Sequence, residues 1–246
     1  MILAIETATD VCGAALVHHQ NVIAKRVIAE KYVHAENLLP MIDDVLRDAS
    51  ISAKGLDAIA VSIGPGSFTG LRIGLSTAKG LALSLGIPVI AVPTLDALAH
   101  TYFIQKGDTS VSTVCPMIDA KRDEAFFCFY RVEAAGVSRQ SEYAIALRSK
   151  IFEIAPPSVI FVGDGARKIG TSSEFVPSSQ FNTSIVCSAE SVGLLAESAG
   201  VKLSREELSI LEPLYLREFV ATKPGSKGGS ARRVLILDEQ RPGRAE

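Results

Sequence analysis

The sequence lacks the features that mark membrane, secreted and nucleic-acid-binding proteins. No uncharged apolar run approaches the roughly 20 residues that a membrane-spanning helix needs. The first ten residues, MILAIETATD, have neither the basic flank nor the long apolar core of a signal peptide. The formal net charge is only −2, so the field of the whole molecule gives no reason to expect tight nucleic-acid binding by the chain alone. We therefore expect a cytoplasmic protein.

Cysteine is scarce as well, and its spacing excludes two common kinds of site. No C-x-x-C pair occurs, so neither a zinc cluster nor a thioredoxin-type redox pair is indicated. We expect buried, reduced thiols at Cys12, Cys115, Cys128 and Cys187. Apolar residues make up 48% and charged residues 21% of the 246 positions, which is typical of a globular protein with ample core.

Short apolar segments alternate with helical patterns in roughly the first hundred residues. The predicted elements are strands Ile2–Ile5, Cys12–Val17 and Val22–Ala29, a helix around Leu38–Ala49, strand Asp57–Ile63, helix Phe68–Leu85, strand Pro88–Val92 and helix Thr94–Tyr102. The first three strands are joined by short turns and should be antiparallel. The later strand–helix–strand steps imply parallel strands with crossover helices.

A second unit is predicted from Ser110 onwards. Its elements are strands Val111–Ile118, Glu124–Val132, Val137–Ala144 and Val159–Val162, and helix Ser188–Ala199 with Ser188 as cap and Gly200 as stop. This order is similar to that of the first unit. The sequence therefore predicts two related α/β halves, at residues 1–108 and 109–221.

The composition changes in residues 222–246. The stretch KPGSKGGSARR is rich in glycine, serine and basic residues, which is typical of a flexible segment. A four-residue apolar patch, Val234–Leu237, follows it. We expect a flexible basic tail, with a short strand or a partner-docking segment as the alternative for the apolar patch.

The stretch IGPGSFTGLRIG, residues 63–74, is rich enough in glycine to raise the question of phosphate binding. A Walker A loop needs G-x-x-x-x-G-K-[ST], but Gly64 and Gly70 stand six apart and no lysine follows. A dinucleotide fingerprint needs G-x-G-x-x-G, and Thr69 stands at its third glycine position. Both nucleotide motifs therefore fail.

The glycines after this turn fit a helix with one face of small residues. Gly70, Gly74, Ala78 and Ala82 lie four apart and so share one face of the predicted helix, which Ser67 should cap. Small residues at this spacing let another helix approach closely. The covering helix could belong to the same fold or to a partner protein, and the sequence leaves both open.

A second candidate for phosphate binding is the short loop Glu6-Thr7-Ala8-Thr9 between the first two strands. Actin-like ATPases normally have Asp-x-Gly-Thr here, with an acid that works through magnesium and a glycine that lets phosphate approach. This chain has Glu6 and Ala8 at those two positions, which predicts a degenerate loop without ATP hydrolysis. The stretch Val162-Gly163-Asp164-Gly165-Ala166 could form another such loop, but an ordinary turn at a strand end explains it equally well.

Metal binding and nucleophilic catalysis find little support in the sequence. His34 with one neighbouring acid gives too few ligands for a metal, and this histidine fits the polar start of a helix better. His18 and His19 are adjacent and would face opposite ways on a strand. Neither Ser67 nor Thr69 stands in a G-x-S-x-G context, so a free-standing hydrolase is the last alternative.

Several segments together resemble the bacterial TsaB (YeaZ) family. They are MILAIETATD, HAENLLPMIDDVL, IAVSIGPGSFTGLRIGLSTAKGLAL, GIPVIAVPTLDALA, IDAKRDEAFFCFY, GDGA at 163–166 and EPLYLR at 212–217. The GPGSFTGLRIG block is highly specific, and the later matches are looser. The resemblance covers about residues 1–220, and the tail carries no motif of the family.

The resemblance implies an α/β protein with the actin-like ATPase (ASKHA) fold, in which two RNase-H-like halves have mixed sheets flanked by helices. It implies a non-catalytic scaffold for the threonylcarbamoyl transferase TsaD, which forms N6-threonylcarbamoyladenosine at position 37 of tRNAs that read codons beginning with A. TsaD would form a heterodimer with the chain, and the ATPase TsaE would join them. The chain alone would form a homodimer and would contact tRNA mainly through the complex. No cofactor, metal or membrane is implied.

The resemblance also implies where partners bind. Family members use the two helices that follow HAENLLP and GPGSFTG, which gives as the candidate interface His34, Leu38, Leu39, Ile42, Gly70, Leu71, Gly74, Leu75 and Ala78. TsaD holds its metal partly through an H-x-x-x-H pair in the segment corresponding to HAENLL, whereas here Leu38 stands four residues after His34. We expect a chain without chemistry of its own, and an independent nucleotide-using enzyme of the same superfamily is the alternative.

Overall fold

The computed structural model describes residues 1–30, 32–106, 110–167, 181–199 and 201–216, which form two mixed sheets and seven helices. The strands are β1 (Ile2–Glu6), β2 (Cys12–His18), β3 (Asn21–Ile28), β4 (Ala58–Ser62), β5 (Val89–Val92), β6 (Ser112–Asp119), β7 (Glu124–Phe127), β8 (Tyr130–Glu133), β9 (Gly136–Arg139), β10 (Ala144–Leu147), β11 (Ile160–Val162), β12 (Phe181–Asn182) and β13 (Lys202–Leu203). The helices are α1 (His34–Asp48), α2 (Phe68–Leu85), α3 (Thr94–Lys106), α4 (Arg148–Ile154), α5 (Asp164–Arg167), α6 (Ala189–Ala199) and α7 (Arg205–Ile210).

The first sheet has the strand order β13-β5-β4-β1-β2-β3. Strands β1, β2 and β3 form an antiparallel meander, and β4 and β5 extend the sheet in parallel with β1. Every residue of β1 and β4 is buried, because helices cover both faces of the sheet at its centre. The carboxyl ends of these parallel strands lie at one edge, where loops can meet.

The second sheet repeats this plan around β6. Strands β7 and β8 pair with β6 in the antiparallel sense, and β10 and β9 pair in turn with β7 and β8. On the other side β11 runs parallel to β6, and β12 runs parallel to β11. The prediction of two related α/β halves with mixed sheets is confirmed by this repeated arrangement.

Two apolar cores lie on opposite faces of the first sheet. Helices α1 and α2 pack on one face, around Leu3, Ile5 and Leu16. Helices α3 and α6 pack on the other face, and their core continues to the second sheet, where it includes Val114 and Tyr130. The two sheets are therefore joined by a continuous apolar core, and α6 covers β1 and β2 although it lies late in the sequence.

The helix predictions around the glycine-rich stretch are confirmed closely. Helix α2 has the predicted bounds, and the Ser67 side chain accepts a hydrogen bond from Gly70 N at 3.3 Å. Ser188 likewise accepts from Ser191 N at 3.2 Å before α6. Both helices thus begin where a serine side chain can bind an unpaired backbone N–H of the first turn.

Two predicted strands of the second half are each divided in the structure. The segment Glu124–Val132 forms β7 and β8, because Cys128 and Phe129 leave the ladder between them. Phe129 N instead donates a hydrogen bond to Ser141 Oγ at 3.0 Å. The segment Val137–Ala144 likewise contributes to two strands, β9 and β10, and the short helices α4, α5 and α7 were not predicted.

Some sequence predictions fall outside the described residues, namely the stop at Gly200, the tail 222–246 and its patch Val234–Leu237. The four cysteines are all described, and each is buried and free, as predicted. Among the helices of the described ranges, none is both long and apolar enough to span a membrane.

Candidate functional site

The loop after β1 is the place where an actin-like protein would hold phosphate, and here it is closed. Glu6 is completely buried, and its Oε1 accepts a hydrogen bond from Ala8 N at 2.8 Å. Cys187 Sγ donates to Glu6 Oε2 at 3.2 Å. Burial raises the pKa of the Glu6 carboxyl, and hydrogen bonds from the Cys187 thiol and from the N–H groups of Ala8 and Thr9 offset this only in part.

The glycine-rich turn before α2 lies directly on this loop. Ser67 N donates to Ala8 O at 2.7 Å, and Thr7 Oγ1 donates to Gly70 O at 2.8 Å. A β-carbon on Gly66 would be 2.2 Å from Ala8 O, and one on Gly70 would be 2.0 Å from Thr7 O. A side chain at either position would clash with these carbonyl oxygens, so the two glycines allow the turn to approach the chain's own loop.

The face of small residues on α2 meets this same loop and strand. A β-carbon on Gly74 would be 2.2 Å from Thr7 Oγ1 and 3.6 Å from Ile5 Cγ2. Ala78 is fully buried in the core between α2 and the first sheet. Contrary to what the resemblance implied, Gly70, Gly74 and Ala78 therefore do not contact a partner helix. They contact the loop after β1 and the first sheet of the same chain.

The other residues of the candidate interface divide into buried and exposed groups. The buried group lies in or beside the core under α1 and α2 and consists of His34, Leu38, Ile42, Leu71 and Leu75. Leu39 alone among the candidates is exposed, with 54% of its surface accessible. The resemblance implied that these two helices bind a partner, but it did not show which face of each helix is exposed.

The turn that precedes α2 is also held from the other side by the segment after α7. Gly64 has φ = +114°, and a β-carbon on it would be 2.8 Å from Leu214 O. Leu214 N donates to Ile63 O at 2.7 Å, and Gly64 N donates to Thr94 Oγ1 at 3.0 Å. The stretch 63–74 is thus fixed between the loop after β1 and the end of the described chain.

His34 is the first residue of α1, as the sequence predicted, and it binds backbone oxygen. Its Nε2 lies 3.0 Å from Thr9 O and 3.1 Å from Val11 O. Both partners are acceptors, which assigns the hydrogen to Nε2. This nitrogen is therefore used in holding the loop after β1 and is not available to a metal.

His18 and His19 do not face opposite ways, contrary to the expectation for two strand residues. His19 lies in the turn between β2 and β3 with φ = +49°, and its ring centroid is 3.9 Å from that of His18. The turn thus brings the rings together. Within the described ranges, however, no three His, Cys, Asp or Glu side chains are grouped so that they could hold a metal ion.

The GDGA stretch forms a turn at the end of β11 that packs against β6. Asp164 Oδ1 accepts a hydrogen bond from Asp119 N at 3.2 Å, and burial raises the pKa of Asp164. Gly163 has φ = +97°, and a β-carbon on Gly165 would be 2.8 Å from Met117 C. The sequence offered an ordinary turn at a strand end as the alternative to a phosphate loop, and such a turn accounts for these glycines.

A buried arginine that the sequence did not single out organises this edge of the second sheet. Arg148 donates through Nε to Gly165 O at 3.1 Å and through its terminal nitrogens to Asp119 at 2.5 Å and Asp123 at 3.1 Å. It fixes the β6–β7 turn, in which Lys121, Arg122 and Asp123 all have positive φ. No local pattern in the sequence marks Arg148, because its partners lie 17 to 29 residues away.

The fold and the site together define an actin-like ATPase fold in which the first phosphate loop is filled. Two mixed α/β halves of the same plan meet at the loop after β1, where a nucleotide phosphate would need free backbone N–H groups. Ala8 N is bonded to Glu6, and the turn containing Ser67 covers Ala8. The residues present at this loop do not fit a phosphate group.

Comparison with known proteins identifies the family. The family model described as "TsaD: tRNA N6-adenosine threonylcarbamoyltransferase" matches residues 21–222. The Escherichia coli K12 protein named tRNA threonylcarbamoyladenosine biosynthesis protein TsaB is 36% identical over 150 residues, which are 61% of this chain and 63% of that protein. The chain belongs to this family and, within it, to the TsaB (YeaZ) proteins.

Two solved structures from Pseudomonas aeruginosa extend the likeness over most of the chain. One, described as similar to peptidase YeaZ, has a TM-score of 0.73 and covers 88% of this chain and 99% of its own. The other, YeaZ, has a TM-score of 0.71 and covers 87% and 99%. Each is 29% identical to this chain. In sequence, the matches to the first curated relatives span between about half and two thirds of those proteins' length.

Proposed function

We propose that this chain is a non-catalytic scaffold for TsaD in the formation of N6-threonylcarbamoyladenosine at position 37 of tRNAs that read codons beginning with A. The observation that carries the proposal is the filled loop after β1. Its N–H groups bind Glu6, and the turn before α2 occupies the space above Ala8. Relatives named for this modification pathway support the assignment to it.

The non-catalytic role that we propose rests on the hydrogen bonds that already occupy the polar side chains of this loop. Glu6 is completely buried, and its two carboxyl oxygens accept hydrogen bonds from Ala8 N and Cys187 Sγ. His34 donates to two carbonyl groups, and Leu38 stands where the second histidine of an H-x-x-x-H pair would be. TsaD would supply the metal and the transfer reaction, and the ATPase TsaE would join the pair.

The partner surface that we propose is the exposed side of α1 and α2. Leu39 and Leu83 are 54% and 50% exposed there. Gly80 is also exposed, and a β-carbon on it would meet no atom of the described residues within 4 Å. A glycine at this position weakens a helix by about 1 kcal/mol without serving the chain's own packing. A helix from a partner could lie close against Gly80 and bury both leucines.

The charges on the two helices suit either TsaD or a second copy of the chain. Helix α1 exposes the acidic residues Glu36 and Asp43 and the basic residue Arg47, whereas α2 has no acidic residue. A two-fold pairing would bring unlike charges together at the rim of the apolar patch. We propose a homodimer for the chain alone, a heterodimer with TsaD, and tRNA contact mainly through that cytoplasmic complex.

The experiment that tests the scaffold role is co-purification with untagged TsaD from the same source. Gly80→Leu should retain the fold and lose TsaD, because a bulky side chain on an open face holds the partner helix away. Arg131→Ala is the control, since Arg131 lies on β8 and, among the described residues, its side chain forms an ion pair with Glu133 alone. If Gly80→Leu binds TsaD as well as Arg131→Ala does, the proposed interface is wrong.

A further inference from the structure

Phe68, Arg72 and Tyr215 form a stacked group on the surface, which we call the stacking surface. The Arg72 guanidinium carbon lies 3.8 Å from the centroid of the Phe68 ring. Arg72 Nε donates to Tyr215 Oη at 3.3 Å, and the two aromatic rings are 5.4 Å apart. Phe68 is 38% exposed, Arg72 is exposed and Tyr215 is partly exposed.

Two distant parts of the chain build this surface. Phe68 and Arg72 are four residues apart on α2 and therefore share one side of the helix. The segment after α7 brings Tyr215 to them, because Lys79 Nζ donates to Leu211 O at 2.7 Å and Leu214 N donates to Ile63 O at 2.7 Å. The three side chains are thus ordered by the fold itself, which lowers the entropic cost of binding a ligand.

The surface favours an anionic ligand. Within the described part of the chain, Arg72 forms no ion pair, and its only hydrogen bond is the one from Nε to Tyr215. The two terminal nitrogens can therefore bind a phosphate or a carboxylate in a bidentate manner. The first turn of α2 contains no acidic residue, so the positive end of the helix dipole adds to the field at Phe68.

The flat shape of the group and the charge of the following residues favour RNA over a protein carboxylate. Bases stack on aromatic rings and on guanidinium planes, and unpaired bases do so most readily. The sequence directly after Leu216 is basic, with seven Lys or Arg and four Asp or Glu in the last 30 residues.

We infer that the stacking surface binds single-stranded RNA, with one base on the Arg72 guanidinium and a neighbouring phosphate on its terminal nitrogens. The inference rests on the proposed function for the source of the RNA, and it assigns to this chain one direct contact within the complex. Such a contact alone should be weak and should prefer unpaired over paired nucleotides, because bases within a duplex are already stacked.

The test uses the full chain and a fluorescein-labelled RNA hairpin with a single-stranded loop of about seven nucleotides, measured by anisotropy at low salt. Phe68→Ala and Arg72→Lys should each weaken binding roughly fivefold or more, the lower end for loss of one stacked base. Arg72→Lys keeps the positive charge but removes the planar guanidinium group, so the salt dependence of RNA binding should remain. Arg131→Lys, on an exposed arginine of β8, is the matched control and should bind like the wild type.

Binding to a blunt duplex of the same length separates stacking from charge. We expect the hairpin to be preferred, and Lys223→Gln, Lys227→Gln, Arg232→Gln and Arg233→Gln together to lower the salt dependence while leaving this preference intact. The inference is overturned if Arg72→Lys binds the hairpin like Arg131→Lys, or if the duplex binds equally well. It is also overturned if Arg72→Lys loses TsaD but retains RNA, which would make the surface a protein contact.

These assays contain no TsaD except in that last comparison, so the two hypotheses can fail separately. A scaffold that binds TsaD through Gly80 but shows no preference for the hairpin would refute the RNA contact alone. Circular dichroism of each variant checks the fold. Should Phe68→Ala unfold, Arg72→Lys on the exposed side chain still decides the result.

Discussion

Gly74 of α2 lies so close to Thr7 that a β-carbon on the glycine would be 2.2 Å from Thr7 Oγ1. The hydroxyl is itself held there by its hydrogen bond to Gly70 O at 2.8 Å. Any side chain at position 74 must therefore move Thr7 and break this bond. The relationship explains the glycine without any partner protein.

The two glycines of α2 at positions 74 and 80 should respond to alanine in opposite ways. Gly74→Ala should lower the free energy of unfolding by about 1–3 kcal/mol through overpacking. Gly80→Ala should raise it by about 0.5–1 kcal/mol, because Gly80 is exposed and the added methyl group contacts none of the described residues. Urea denaturation of both variants measures the difference. Equal stability of the two would show that the contact with Thr7 is not formed.

The buried carboxyl of Glu6 should make stability depend on acid pH. Burial raises the pKa of Glu6 above its ordinary value of 4.5, so the folded state favours the protonated form. Its contribution is fully present below the unfolded pKa and is lost as the pH rises through the folded pKa. In Glu6→Gln this part of the pH dependence should vanish, which urea denaturation across the acid range measures. Parallel curves for the two proteins would contradict the assignment.

Removing the ring of His34 should destabilise the protein without any involvement of metal. His34→Ala leaves Thr9 O and Val11 O without their shared donor, a loss of about 1–3 kcal/mol if water does not replace it. The thermal midpoint of the wild type should be unchanged by a chelator. His19→Ala, at an exposed turn, serves as the control. A midpoint that drops on chelation would instead make His34 a metal ligand.

Arg148 should be far more sensitive to substitution than an exposed arginine. Its side chain and that of Asp119 are each 5% exposed, so Arg148→Met removes the buried partner of Asp119, which keeps only its ion pair with the exposed Lys121 among the pairs described. We expect a loss of about 1.5–3 kcal/mol, the range for hydrogen bonds to charged groups. Arg131→Met, whose pair with Glu133 is exposed, should change stability by no more than about 1 kcal/mol. Similar denaturation midpoints for both variants would refute the role of Arg148.

The purified chain should neither bind nor hydrolyse ATP with magnesium. The Ala8 N–H that would meet a phosphate already donates to Glu6 at 2.8 Å. Isothermal titration with Mg-ATP and an assay of phosphate release measure both properties. Magnesium-dependent turnover that is lost in Glu6→Ala would favour the alternative of an independent nucleotide-using enzyme.

The sequence predicted elements well where periodicity and caps agree, and it predicted contacts poorly. The bounds of α2 follow from Ser67 at its start and the apolar pattern behind it. The spacing of Gly70, Gly74 and Ala78 shows that they share a face, but spacing contains no information on what lies opposite. That answer depends on Thr7, which is more than 60 residues away in the chain. The partners of Arg148 were missed for the same reason.

The position of α6 has a consequence for how the chain is made. Gly193 lies so close to β2 that a β-carbon on it would be 2.5 Å from Val17 Cγ2, and α6 buries one face of β1 and β2. A ribosome completes β1–β5 and α1–α3 about 80 residues before it reaches α6. One apolar face of the first sheet therefore stays exposed in the nascent chain until α6 has been synthesised. We expect chaperones to bind this N-terminal half during translation.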